Sequence, residues 1–95
     1  MEVRELDGKL VCTLVGHFDT LQSQKLEELL KARLSPTQPV IFEMKDVTYI
    51  CSAFLRVCVY VAKTVSAQNY TLLDVAPPIK RVFKMAGLSP LFGLE

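Results

Sequence analysis

Cys51 and Ser52 are the residues of this chain whose chemistry and setting most invite a function. They stand at a crossing within Val47 to Val65, VTYICSAFLRVCVYVAKTV, where an apolar strand gives way to a mostly apolar helix. Ser52 is the only hydroxyl in the crossing itself, between Cys51 and Ala53. A serine at a helix start ordinarily caps it, its oxygen accepting from a backbone N–H two or three residues on. The other reading is a serine presented at the tip of the turn, for modification or for contact. Cys51 has the setting in which a thiol pKa falls and the sulfur becomes a nucleophile. A nucleophile needs a base, and the only histidine, His17, belongs to a different stretch. No paired carboxylates, glycine-rich phosphate loop or metal-ligand set accompanies these residues. The expectation is a non-enzymatic protein with no cofactor and no metal.

Size and composition narrow the class further. The chain has 95 residues, enough for one domain and too few for a second core. A chain of this length buries about two-thirds of the surface its unfolded form exposes, so it needs no staple. Its composition, 51% hydrophobic and 22% charged, is globular. A formal charge of +1 lacks the basic footprint of a direct nucleic-acid binder. Lys80, Arg81 and Lys84 are read as solvated cations on the outer face of a short helix. Cys12, Cys51 and Cys58 form no CxxC pair and suit a reducing compartment, as small buried hydrophobes. The first twenty residues, with Asp7, Gly8 and Asp19, make no signal peptide. The apolar runs fall short of the roughly 20 residues of a membrane span. A cytoplasmic protein without membrane insertion, monomeric or weakly dimeric, is expected. Leu94-Glu95 reads as a candidate expression-tag remnant and carries no argument.

The elements that must position the crossing follow from periodicity. Val3 to Leu6 and Leu10 to Val15 are β-prone runs around Asp7-Gly8, a hairpin signal. Gly16 is expected to end the second run, leaving His17 in a loop. Asp19 and Thr20 are rival N-caps for a helix carrying Leu26, Leu29, Leu30 and Leu34 at helical spacing. Ser35 to Pro39 break it, and Val40-Ile41-Phe42 has the continuous apolar pattern of a central strand. Lys45-Asp46 is a polar step before Val47, Tyr49 and Ile50.

In the helix from Ser52, Phe54, Val57, Cys58, Val61 and Val65 fall with Leu55, Val59 and Ala62 on an apolar arc of roughly 200°. So wide a face implies contact with the sheet and with a neighbour, either a second helix or a partner. Asn69 is expected to end this helix in the left-handed conformation. Tyr70 to Val75 reads as a strand, and Pro77-Pro78 opens a short helix that Gly87 closes. Leu88, Leu91 and Phe92 form a closing flap. The plan is α/β, a mixed four- to five-stranded sheet with three to four helices.

Four stretches in order then resemble a known family. GHFDT (Gly16 to Thr20) resembles the Gly-x-Leu-Asp motif at the entry to the first helix of STAS domains of the anti-sigma factor antagonist type. VIFEMKDVTYI (Val40 to Ile50) is similar to the strand before that family's key turn. ICSAFLRV (Ile50 to Val57) falls on its I-D-S-S-G-L turn, and resembles the I-S-S-A-G-L-R-V variant even more. YTLLDVAPPIKRVFKMAGLSPLF (Tyr70 to Phe92) is like its last strand, helix and Gly-Leu ending.

The resemblance covers residues 1–95 as a single STAS-like domain. It implies a partner that is both anti-sigma factor and serine kinase, with the turn presenting a hydroxyl for phosphorylation. In this register Cys51 stands for the family's Asp, Ala53 for its second hydroxyl and Phe54 for its Gly. Ser52 is therefore the sole phosphoacceptor candidate within the turn. Asp19, Cys51, Ser52, Ala53, Phe54, Arg56 and Tyr60 are the candidate partner-binding residues. The resemblance also leaves open an accessory subunit of a phospholipid ABC transporter. The cytoplasmic tail of an anion transporter is the lesser option, because no membrane portion precedes Met1.

Overall fold

The computed structural model of the chain describes residues 1–94. Of the candidate tag remnant, Glu95 lies outside the described residues. Strands β1 (Glu2–Leu6) and β2 (Lys9–Phe18) form an antiparallel hairpin. Its two-residue turn places Asp7 at φ 53° and Gly8 at φ 79°, and positive φ at both positions is the turn whose twist matches paired strands. Helix α1 (Thr20–Arg33) follows, then β3 (Val40–Ile50) and α2 (Ser52–Val65). A 3-10 turn (Ala67–Asn69), β4 (Tyr70–Leu73), α3 (Pro77–Met85) and α4 (Ser89–Phe92) complete the chain. The sheet has four strands in the order β1-β2-β3-β4, with β2, β3 and β4 mutually parallel. Each parallel connection carries a helix, as parallel pairing requires.

Alternation along β3 explains the layering. Val40, Phe42 and Met44 are buried, while Ile41, Glu43 and Lys45 between them are only partly covered or exposed. One face is thus sealed and the other faces water across a polar line in which Arg4 donates to Thr13 and Thr13 to Glu43. On the sealed side six rings form a chain in which Phe18 meets Phe54, Phe54 meets Phe42, and Phe42 meets Tyr70. Tyr70 then meets Phe92, and Phe92 meets Phe83, at centroid distances of 5.5 and 5.6 Å. Tilted and edge-on rings suit the aromatic quadrupole, so the chain ties β2, β3, β4 and the C-terminal helices into one core.

Several boundaries differ from the sequence reading, each for a local reason. Gly16, at φ 84°, lies inside β2 rather than ending it, beside register shifts at Thr13/Val15 and Gly16/His17. The offset leaves β3 one residue longer at each shift, which is how Lys45-Asp46 stays within one continuous strand. His17 is consequently a strand residue. On α1, Ser23, Leu26 and Leu30 are buried and Leu29 is exposed. The positive φ that ends α2 belongs to Ser66 and not to Asn69. Asn69 instead turns its side-chain amide back, Nδ2 donating to the Val65 carbonyl at 3.1 Å. β4 stops at Leu73, before Asp74 at φ 56°. At the end of α3, Leu88 N–H reaches the Phe83 carbonyl and Gly87 N–H the Lys84 carbonyl. That bond pair, with Gly87 at φ 75°, is a Schellman closure.

Candidate functional site

The last rung of the β2–β3 pair sets Phe18 opposite Ile50. Both are buried, and the chain leaves each strand through an extended residue straight into a helix. Asp19 and Cys51 therefore occupy equivalent places, as N-caps of α1 and α2 on one rim of the sheet. The carboxyl ends of parallel strands are where open α/β sheets gather their functional groups.

The two caps work differently. Asp19 Oδ1 accepts from Gln22 N–H at 2.9 Å, which decides its rivalry with Thr20. At α2 the cap is Cys51 and not Ser52, with no side-chain cap bond; the Cys51 carbonyl receives Leu55 N–H at 3.1 Å. Ser52 is thus the first helical residue and exposed, which removes its expected capping role. Burial acts to raise the Cys51 thiol pKa. It is outweighed by the backbone amides of Phe54 and Ala53 and the hydroxyls of Ser23 and Thr20, and the net shift is downward. Ser23 Oγ lies 4.0 Å from Cys51 Sγ and also donates to the Phe18 carbonyl at 3.4 Å, joining the two helix starts.

Phe54 requires a correction. It is 0% exposed, with its ring 5.2 Å from Phe18 and 6.2 Å from Phe42, so it is a core residue and no surface anchor. Ala53 beside it is also buried. The helix spacing explains this, since Phe54, Val57, Cys58, Val61 and Val65 recur at three- and four-residue steps on the inner face. What remains outside is a stripe at four-residue spacing, Ser52, Arg56 and Tyr60, all exposed, together with Asp19 and half-exposed Cys51 on the rim.

Beside that stripe runs a shallow groove of about 260 Å³, lined by Ser52, Leu55, Arg56, Val59, Ala86 and Leu88. Its walls are mostly apolar. Leu55 and Val59 supply the α2 side, the outer margin of the wide apolar arc, and the turn after α3 supplies the other. Ala86 and Leu88 were not foreseen as site residues; the one local signal was that Leu88 follows a helix-closing glycine. His17 and Tyr49 also emerge near the rim, their rings stacked at 4.7 Å and 20°. His17 Nδ1 is 3.5 Å from Thr48 Oγ1. Among the described residues no group of three His, Cys, Asp or Glu could hold a metal. No helix in them is long and apolar enough to cross a membrane.

The STAS domain family model matches residues 1–95. The chain belongs to the STAS domain family. It is 29% identical over 91 residues to BtrV of Bordetella bronchiseptica, provisionally named an anti-sigma factor antagonist. That match covers 93% of this chain and 78% of BtrV. The fold also matches the anti-sigma factor antagonist SpoIIAA in its unphosphorylated form, with TM-score 0.71, 17% identity, and 96% and 84% of the two chains covered. For the Bacillus cell fate determinant SpoIIAA in the phosphorylated form the values are 0.72, 16%, 96% and 86%. The four-stranded mixed sheet and four helices are thus the STAS arrangement, and Ser52 opens its second helix.

Proposed function

We propose that this STAS domain is a cytoplasmic anti-sigma factor antagonist that docks on an anti-sigma factor of the serine-kinase type. The docking surface is the stripe Ser52, Arg56 and Tyr60, with Asp19 and Cys51 on the rim. The observation that carries the reading is the exposed Ser52 hydroxyl at the lip of an apolar groove. An apolar partner side chain seated between Leu55, Val59, Ala86 and Leu88 would supply the buried centre that such interfaces need. Arg56 and Tyr60 are of the types that carry binding energy in contacts of this kind. The relative BtrV, provisionally named an anti-sigma factor antagonist, supports the same class.

Phosphorylation of Ser52 by that partner is the switch this reading implies. A phosphate brings about −1.5 to −2 charges. At the first position of α2 those charges meet free N–H groups and the positive end of the helix, so the fold accepts them. Arg56, one turn on, can pair with the phosphate. Docking would then have to strip water from a dianion at the edge of an apolar groove, at a prohibitive cost.

The test is calorimetric titration of the chain against a candidate anti-sigma factor of the serine-kinase type, with intact mass measured after incubation with that protein and ATP. Binding, a gain of one phosphate on Ser52, and loss of binding by the phosphorylated form support the proposal. Absence of binding to any such protein, with co-purification with a permease and its ATPase instead, would replace it with the transporter-subunit reading.

A further inference from the structure

The three cations of α3 are exposed, as expected, and they also border a cavity. Lys80, Arg81 and Lys84 line a cavity of about 590 Å³ between α3 and α4, with Pro77, Gly87, Ser89, Pro90 and Leu94. Among the described residues, no carboxylate lines it. The ion pairs among the described residues, Arg4 with Glu2 and Glu43, and Lys31 with Glu27, leave these cations out. The prolines, Leu94 and the stems of the long side chains make the walls largely apolar. Ser89 is 4% exposed, and its Oγ has no hydrogen-bond partner. A buried hydroxyl left unpaired in a native fold calls for an explanation, and a bound acceptor supplies one.

We infer that this cleft binds a small amphipathic anion. Its apolar body rests on Pro77, Pro90 and Leu94, and its carboxylate or phosphate head is held by Lys80, Arg81 and Lys84 within reach of Ser89. The volume lies in the range of small-molecule sites, roughly 300–1,000 Å³. Three cations, with no acid among the described lining residues, select a negative head, and an apolar wall disfavours a bare inorganic ion. The site is separate from the docking groove, yet the turn between the helices serves both. Ala86 and Leu88 line the groove beside Ser52, whereas Gly87 and Ser89 line this cavity.

Amide chemical shifts of the full chain, titrated with decanoate and decyl phosphate below their micelle concentrations, test the inference. Saturable shifts centred on Lys80, Arg81, Lys84, Gly87, Ser89 and Leu94 are expected with at least one of the two probes. The headgroup that binds more tightly identifies the chemistry. Decanol should bind about tenfold more weakly or not at all, and Lys80→Gln/Lys84→Gln should lose about tenfold, as fits charge-assisted contacts. Both exposed substitutions should leave the circular dichroism melt unchanged. Ser89→Ala should weaken the tighter probe while leaving the melt unchanged, because it removes a hydroxyl with no partner in the free protein. The inference is overturned if neither probe binds, if decanol binds equally well, or if shifts spread over the whole chain. Co-sedimentation with phosphatidylglycerol vesicles, or binding of a poly-glutamate peptide, without binding of either probe would also overturn it, in favour of a membrane or a protein partner.

Discussion

Phe54 lies tilted against Phe18, ring centroids 5.2 Å apart, two residues along the helix from exposed Ser52. The core of the domain thus begins immediately behind the exposed Ser52 hydroxyl. Substitutions only two residues apart on α2 should separate into effects on stability and effects on binding.

Phe54→Ala should lower the stability of the free domain by about 3–5 kcal/mol, the range for truncating a buried phenylalanine. Urea denaturation measures this directly. Affinity for the partner, measured on the folded fraction or with the milder Phe54→Leu, should stay within a few-fold of the parent. A selective loss of affinity without loss of stability would return Phe54 to the interface.

Arg56→Ala and Tyr60→Ala should show the reverse. Each side chain is exposed on the free domain, so unfolding free energies should move by no more than about 0.5 kcal/mol. Affinity for the anti-sigma factor should fall by about 1–2 kcal/mol for each, read by calorimetry.

Ser52→Asp should leave the fold intact. A carboxylate in the first turn of a helix is favourable by about 0.3–1 kcal/mol, so thermal stability should hold or rise slightly. Partner binding should be lost, whereas Ser52→Ala should retain it. Equal binding by both variants would retire the switch.

The three thiols should part company with pH. Cys51, its pKa lowered on balance by the surrounding amides and hydroxyls, should react with iodoacetamide faster than a free thiol near neutrality. Cys12 and Cys58, pushed by burial from 9.0 to about 12, should resist labelling until the domain unfolds. Because their folded pKa lies above the unfolded one, the stability tied to these two thiols is complete below pH 9. It drains away as pH rises from there towards about 12. Buried Tyr70, whose pKa is raised by burial and by the neighbouring Cys58, acts in the same direction. Denaturant titrations between pH 8 and pH 11 would show the decline, and Cys58→Ala should flatten it.

Much of this was legible in the residues because the signals were local. Asp7-Gly8 could hardly be anything but a tight turn, and Asp19 carried its own cap bond to Gln22. Pro77 and Gly87 bracketed α3 as their backbone preferences require. The errors came where tertiary geometry decided. A glycine in a strand looks the same whether it terminates the strand or buckles it, and only pairing with β3 shows that Gly16 does the latter. Moving the cap from Ser52 to Cys51 leaves the apolar pattern unchanged while altering what the serine does. Phe54 already sat on the apolar arc; placing it in the interface gave the turn's resemblance more weight than the helix's own period. The far wall of the groove, Ala86 and Leu88, lies 34 and 36 residues beyond Ser52, and nothing local joins them.

The caps of α1 and α2 hang from adjacent strands whose final residues are paired and buried, so this edge of the molecule has little freedom to deform. Regulation acting there has no hinge to turn. It would operate as a veto on contact, added or removed at the surface, so that the speed of response depends on how fast a partner lets go and not on refolding.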